Sequence, residues 1–206
     1  MSNQFTLSDF RVRASERLHH DADEHLGDFT LNPDFRQWIT SKATKEAAVL
    51  MALVEREDEL SVLLTKRADK LTSHSGQVAF PGGKIDAEDN SPEAAALREA
   101  EEEVGLASRH VEVLGRLPDY FTGSGYKIAP ILGIMDSHAV VEANPDEVDY
   151  IFEVPLSFLM NPDNHVRGSR VFEGKERHYL EMPYGDHYIW GVTANIIRVL
   201  YDRLYK

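Results

Sequence analysis

The feature that most constrains the fold of this chain is a helix with clear signals at both ends. Ser91 is a good N-cap residue, Pro92 suits the first helical position, and Gly105 suits the position just past the last turn. We therefore predict a helix over Pro92–Val104. Apolar runs precede and follow it, so the chain is expected to mix strands and helices.

Those apolar runs predict most of a sheet. Upstream of the helix, strands are expected over Ala47–Val54, Leu60–Thr65 and Gln77–Phe80, followed by a sharp turn over Pro81–Gly83. Downstream, strands are expected over Val111–Leu117, Ile128–Met135, Val148–Val154, Val166–Phe172 and His178–Met182, and a closing helix over Val192–Leu204. The glycine-rich loop Thr122–Gly125 could border a site.

The composition of the chain changes near residue 45. Residues 1–45 are polar and predict short helices around Phe5–Leu18 and Asp34–Ser41. We therefore expect a helical N-terminal extension over 1–45 and the main domain over 46–206. The extension could cover a substrate pocket or form the contact of a homodimer.

Composition excludes several classes of function. Among 206 residues, 22 Lys and Arg face 35 Asp and Glu, a net charge of −13, which excludes a general binder of nucleic acid. The absence of cysteine excludes disulfides, thiolate nucleophiles and zinc–thiolate sites. No apolar run is long enough to span a membrane, and the N-terminus lacks a targeting pattern. We therefore expect a soluble cytoplasmic protein with a small-molecule partner, and neither a nucleic-acid nor a membrane partner.

The predicted helix has two distinct faces at a rotation of ~100° per residue. One arc of about 60° holds the residues of the predicted buried stripe, which are Leu97, Ala100 and Val104. A second arc of about 100°, centred roughly 140° away, holds Glu99, Glu102 and Glu103. Three carboxylates on one face repel one another, and a hard divalent cation removes that cost, so Mg²⁺ or Mn²⁺ is the expected ligand. The alternative is a solvated acidic face, because acidic helices are common.

The segment from Gly83 to Leu106 resembles the Nudix box. The second half of that box, Arg-Glu-apolar-any-Glu-Glu-any-Gly-apolar, matches completely over Arg98–Leu106. The first half differs, because Asp89 stands where the box has glutamate and eight residues instead of seven separate it from Arg98. The glycines before the helix allow a backbone to approach a ligand closely.

A second signature lies upstream and resembles that of the coenzyme A pyrophosphatases. It consists of Leu63–Ala68, then Gly76, then Phe80–Gly83, in the order and spacing of that family. Thr72 stands where the family has its second arginine, and the nearby residues that could compensate are Lys70 and His74. The segment Trp190–Ala194 also resembles this group.

These resemblances imply an α/β fold, a Nudix-type α/β/α sandwich with a mixed β-sheet and a catalytic strand–loop–helix. They imply that Glu99, Glu102 and Glu103 are metal ligands, with Glu102 and Glu103 also counted as catalytic. Arg98 is expected to orient a ligand carboxylate through an ion pair, in preference to contacting substrate. The implied substrate-binding residues are Arg67, Lys70, Gly76, Phe80, Gly82, Gly83 and Lys84.

The general base is expected outside the helix. Glu147 is our candidate, because it precedes a predicted strand and could reach inward. The residues that compete for this role are Glu142, Glu153 and Glu102, and a loop glutamate is more often solvated than catalytic. His74 and His187 could touch substrate, although surface histidines are equally expected among nine.

The resemblance implies hydrolysis of the diphosphate of coenzyme A or acyl-CoA to 3′,5′-ADP and 4′-phosphopantetheine or its acyl form. One alternative is a Nudix pyrophosphatase for ADP-ribose, NADH or another nucleoside diphosphate derivative, because the acidic helix is common to these enzymes. Another is a non-catalytic nucleotide-binding Nudix module, although all three glutamates of the acidic face are present.

Overall fold

A computed structural model describes residues 4–18, 26–43, 45–57, 59–172 and 174–206. Its helices are α1 (Leu7–Arg17), α2 (Arg36–Lys42), α3 (Pro92–Val104), α4 (Leu156–Leu159) and α5 (Gly191–Leu204). Its strands are β1 (Leu26–Gly27), β2 (Lys45–Arg56), β3 (Glu59–Arg67), β4 (Val78–Ala79), β5 (Gly82–Lys84), β6 (Val111–Arg116), β7 (Tyr120–Phe121), β8 (Tyr126–Met135), β9 (Val148–Pro155), β10 (Val166–Phe172), β11 (Lys175–Tyr184) and β12 (His187–Trp190). None of the described helices is long and apolar enough to cross a membrane.

A mixed sheet forms the centre of the fold. Its strands run in the order β1-β7-β8-β2-β3-β4, with β5 paired to β2, β6 to β8 and β9 to β3. The long central pair, β2 and β8, is parallel, whereas β2 and β3 are antiparallel. Strands β10, β11 and β12 form a separate antiparallel sheet.

The central strand β2 is buried on both faces, because its side chains alternate between two cores. Leu50 and Ala52 pack with α3 on one face, and Met51 and Leu53 pack with α5 on the other. Helices therefore cover both faces of a mixed sheet, and the predicted α/β/α sandwich is confirmed.

The described part of residues 1–45 packs onto this sandwich. Phe10 of α1 is fully buried in the core on the α5 side. Arg13 and Arg17 donate to the carbonyl oxygen of Leu204 over 3.1 and 3.2 Å, and β1 pairs with β7. The two helices expected in this region are present, and the division of the chain at residue 45 stays a prediction.

The sequence predicted the long elements better than the short ones. Each predicted strand is present with small shifts at its ends, whereas β1, β5, β7 and β12 were not predicted. The chain bends at Pro81, within the turn predicted over Pro81–Gly83, but Gly82 and Gly83 themselves belong to β5, which pairs with Ala47–Val49 of β2. Isolated two- to four-residue strands have too little periodicity to stand out in a sequence.

Candidate active site

The acidic helix α3 forms as its end signals predict. The Ser91 hydroxyl accepts a hydrogen bond from the Ala94 N–H at 3.1 Å, and Gly105 takes the left-handed conformation at φ 67° that ends the helix. Ala100 and Val104 are buried against the sheet, and Leu97 is half-buried beside them. The prediction of the helix and of its apolar stripe is therefore confirmed.

Glu103 lies in the interior, which the helical periodicity did not predict. Its residue is only 2% exposed. One carboxylate oxygen accepts from the Gly82 N–H at 3.0 Å, and the other accepts from Arg67 Nη1 at 3.2 Å. Burial raises the pKa of Glu103 to about 7, the Gly82 and Arg67 donors oppose this, and the carboxylates of Glu147 and Glu99 add to it. A proton or a cation is therefore favoured at this carboxylate.

The two glycines of β5 allow this strand to lie close to β2 and to Glu99 of α3. Gly82 has φ 155°, and a Cβ there would lie 2.4 Å from the Ala48 carbonyl oxygen of β2. A Cβ on Gly83 would lie 2.4 Å from the carboxyl carbon of Glu99. A side chain at position 82 would push β5 away from β2, and one at position 83 would displace the Glu99 carboxylate, so both glycines allow the acidic side chains to lie close to this backbone.

Arg98 is surrounded by acidic groups. It donates from Nε and Nη2 to the Asp89 carboxylate at 3.1 and 2.9 Å, and from Nη1 to Glu99 at 3.0 Å and to Glu102 at 3.2 Å. It also donates to the carbonyl oxygen of Lys84 at 3.0 Å. The guanidinium lowers the pKa of Asp89 and partly offsets the effect of burial, which raises the pKa of Glu99. Asp89, whose partner could not be identified from the sequence, therefore pairs with Arg98.

The donor chemistry of the acidic face suits a hard divalent cation, because its groups are carboxylate oxygens and one of them is deeply buried. As the side chains stand, no three acidic or histidine side chains of the described residues form a group that could hold a metal ion. Glu99 and Glu102 are hydrogen bonded to Arg98 instead. The glutamates suit a divalent cation chemically. In this structure Arg98 pairs with the negative charges that a bound cation would neutralise.

Glu147 interacts electrostatically with Glu99 and Glu103, unlike two of its competitors for the role of base. Its carboxylate raises the pKa of both Glu99 and Glu103, and its carbonyl oxygen is held by the Ala68 N–H at 2.9 Å. Glu153 instead forms an ion pair with Arg56 at 2.8 Å, and Glu142 is exposed. Its interaction with Glu99 and Glu103 therefore favours Glu147 over these two residues.

The predicted substrate-binding residues lie in different environments. Lys84 is exposed, whereas Lys70 is paired with Asp146 at 2.6 Å. The Phe80 side chain is buried in the core, so its contribution to a site is to fix the backbone that continues into β5. Gly76 takes φ 68° in the loop between β3 and β4.

The remaining candidates occupy exposed or aromatic surroundings. Thr72 is exposed, and the His74 ring lies 3.0 Å from the Gln77 side-chain oxygen. His187 lies in β12, stacked on Phe152.

Two buried threonines were missed as parts of the site. Thr65 donates to the Ala79 carbonyl oxygen at 3.1 Å, and Thr193 donates to the Val78 carbonyl oxygen at 2.9 Å. They hold both residues of β4, the strand that leads into β5. Thr65 lies in the upstream signature and Thr193 in the Trp190–Ala194 segment. The motifs therefore contained both threonines, but the spacing of residues did not predict their hydrogen bonds to β4.

Comparison with known proteins agrees with this geometry. The NUDIX domain family matches residues 44–180, so the chain belongs to the Nudix family and is a hydrolase of pyrophosphate bonds. Nudix hydrolases generally use divalent metal ions.

Relatives described as "Uncharacterized Nudix hydrolase NudL" occur in Yersinia pestis strain Pestoides F and in Yersinia pseudotuberculosis serotype O:1b. Each is 43% identical over 161 residues, covering 78% of this chain and 80% of the relative. The crystal structure of DR0079 from Deinococcus radiodurans is similar with a TM-score of 0.50 and 13% identity, over 79% of this chain and 83% of that one, a likeness of fold alone.

Proposed function

We propose that this protein is a metal-dependent diphosphatase that cleaves coenzyme A or acyl-CoA into 3′,5′-ADP and 4′-phosphopantetheine or its acyl form. One observation carries the proposal. Arg67 and Gly82, from the signature that resembles coenzyme A pyrophosphatases, both donate to Glu103 of the Nudix box. The two motifs thus meet at a single carboxylate, which supports one site built from both.

In this proposal Glu99, Glu102 and Glu103 hold Mg²⁺ or Mn²⁺. When bound, the cation neutralises charge on the diphosphate and makes an attacking water more acidic. Glu103 supplies a buried carboxyl group whose proton is readily exchanged for a cation, because its pKa is about 7. Arg98, held by Asp89, orients Glu99 and Glu102.

The proton of the attacking water passes to Glu147. A new bond forms between the water oxygen and phosphorus, the bridging P–O bond breaks, and the leaving phosphate takes the electron pair. In this proposal Arg67 and Lys84 contact the diphosphate, and Lys70, in the loop after β3, exchanges its ion pair with Asp146 for a contact with the substrate. The glycines at 76, 82 and 83 keep the backbone close to the substrate.

The wider assignments complete the proposal. Residues 46–206 form the catalytic domain and residues 1–45 its N-terminal extension, with the cytoplasm as the compartment. The absence of cysteine is consistent with a reducing environment.

Product analysis tests the substrate. Purified protein with Mg²⁺ or Mn²⁺ is incubated with coenzyme A, acetyl-CoA, ADP-ribose, NADH and diadenosine polyphosphates, with Glu103→Gln as the control. The expected result is release of 3′,5′-ADP from coenzyme A as the fastest reaction. Faster cleavage of ADP-ribose or NADH would replace the coenzyme A assignment by the broader pyrophosphatase.

Thr72 offers a second test of the same assignment. Thr72→Arg restores the second arginine of the signature on an exposed loop position. If coenzyme A is the substrate, this variant should lower KM for coenzyme A and leave KM for ADP-ribose unchanged. Equal changes for the two substrates would count against coenzyme A.

A further inference from the structure

Strand β10 forms one edge of the small antiparallel sheet. The sheet runs in the order β10-β11-β12, so among the described residues β10 pairs with β11 alone. The strand is seven residues long, Val166–Phe172, and of residues 166–171 all but Gly168 are exposed. Every second residue of β10 directs its N–H and C=O groups away from β11, where they can bond a further strand.

The side chains of β10 do little to block this edge. Natural edge strands are commonly protected by charges, prolines or bulges, whereas β10 has no proline and pairs with β11 in one unbroken register. Val171 is 75% exposed and Val166 is 45% exposed. The guanidinium carbon of Arg170 lies 5.0 Å from the centre of the Trp190 ring on β12, so this side chain crosses β11 and points away from the edge.

A second copy of β10 fits this edge best in one register. Two copies related by a two-fold axis pair antiparallel, with the axis at one residue. A centre at Arg167 or Arg170 sets two arginines directly opposite each other, which is unfavourable. A centre at Gly168 pairs only five residues, whereas a centre at Ser169 pairs all seven. In that last register Arg170 lies opposite Gly168. Arg167 then lies opposite Val171, so no like charges meet.

The charges in this register are complementary. On β11, Glu176 pairs with Val171, is exposed, and accepts a hydrogen bond from the Ser169 hydroxyl at 2.7 Å. Arg167 of the second copy would lie beyond Val171, about 10 Å from Glu176 between Cα atoms at ~4.8 Å per strand. The aliphatic part of this arginine would cover Val171 while its guanidinium extends toward Glu176. The two-fold axis repeats the contact, so the pairing covers two exposed valines and adds two ion pairs.

We propose that the free edge of β10 is an interaction surface for a second copy of this chain, with the two strands paired about a two-fold axis at Ser169. The pairing joins two three-stranded sheets into one continuous sheet. It places the contact of a homodimer at β10 and not at residues 1–45. The inference depends on the second sheet alone and is independent of the proposed function.

Sedimentation velocity of the full chain over a range of concentrations tests for the dimer. A seven-residue strand pair is smaller than a standard interface, so we expect a dissociation constant on the order of tens of micromolar. The mass should therefore rise from that of one chain to that of two across this range. Ser169→Lys sets two like charges opposite each other at the axis and should raise the dissociation constant at least about threefold.

Charges of opposite sign at position 171 test the register. Val171→Glu places a carboxylate opposite Arg167 of the second copy and should lower the dissociation constant at least about threefold. Val171→Lys places a cation there and should raise it by at least about the same factor. Val140, an 84% exposed valine in the loop after β8, provides the matched controls. Val140→Glu and Val140→Lys should both keep the wild-type dissociation constant.

Two results would overturn the proposal: a monomer at every concentration, or equal effects of the two charges at position 171. Misfolding cannot imitate the expected result, because Val171→Glu should strengthen association and yield a discrete dimer instead of larger aggregates. Thermal unfolding should stay near that of the wild type, since the substituted side chains are exposed. Failure of the coenzyme A assignment would appear separately, as absence of 3′,5′-ADP in the product assay.

Discussion

Glu103 on α3 and Asp28 in the turn after β1 are both carboxylates whose pKa is raised chiefly by burial, yet their neighbours differ. Asp28 accepts from the Tyr120 hydroxyl at 2.9 Å and from the Gly123 N–H at 2.7 Å. Its other polar neighbours also lower its pKa. Glu103 has two donors as well, but two further carboxylates raise its pKa.

This difference separates a carboxylate that holds the fold together from one that, under the proposed function, takes part in catalysis. Asp28 joins the N-terminal region to the loop after β7, and its hydrogen-bonding capacity is used by the protein itself. Glu103 remains in an excess of negative charge that the described residues do not neutralise fully. Clusters of like charges with perturbed pKa values are typical of functional sites.

The largest expected effect is on catalysis by Glu103. Glu103→Gln keeps the shape of the side chain and removes the charge, so kcat should fall by at least about a hundredfold, or about 3 kcal/mol. Far-ultraviolet circular dichroism should be unchanged. The exposed neighbour Glu101→Gln is the control and should keep near-wild-type turnover. Equal effects of the two substitutions would break the distinction between the buried and the solvated carboxylate.

The same residue should give a pH dependence of stability in the metal-free protein. The folded-state pKa of Glu103, about 7, exceeds the ordinary value of 4.5. The wild type should therefore lose stability relative to Glu103→Gln as the pH rises from 4.5 to 7, by up to about 3 kcal/mol, because the unfolded chain releases this proton first. Urea unfolding with a chelator at several pH values measures the difference, and parallel curves would contradict the prediction.

Asp28 should affect stability and leave turnover intact. Asp28→Ala leaves the Tyr120 hydroxyl and the Gly123 N–H without their acceptor, which should cost about 2 kcal/mol of unfolding free energy. Thermal unfolding checks this, with an expected decrease of about 4–8 °C for a chain of this size. Asp28→Asn retains an acceptor and should lose less. A fall in kcat of the folded variant would assign this residue to the site.

The smallest expected effect concerns Asp89. Asp89→Asn weakens the hold on Arg98, so the Mg²⁺ concentration for half-maximal activity should rise about tenfold, as for other residues that orient metal ligands. Asp86, 3.6 Å from the same guanidinium and well exposed, provides the matched control, and Asp86→Asn should leave the requirement for Mg²⁺ unchanged. An unaltered Mg²⁺ requirement in Asp89→Asn would limit Asp89 to a structural role.

Much of the fold could be predicted from the sequence, because the signals are local. The caps at Ser91 and Gly105 lie within a turn of the helix that they delimit, and both act as predicted. The apolar runs of β2, β3 and β8 are long enough for their period to be recognised. The three glutamates of one helical face likewise follow from the rotation per residue alone.

Tertiary structure alone decided which glutamate is buried and what it contacts. The partners of Glu103 lie 21 and 36 residues away in the chain, at Gly82 and Arg67, so no local pattern reports them. The loop before α3 is one residue longer than in the Nudix box. The pairing of its Asp89 with Arg98 also depends on tertiary structure, because the loop must fold back onto the helix. Sequence determined that three carboxylates share a face, and packing against β5 determined that one of them is desolvated, because burial depends on segments distant in the chain.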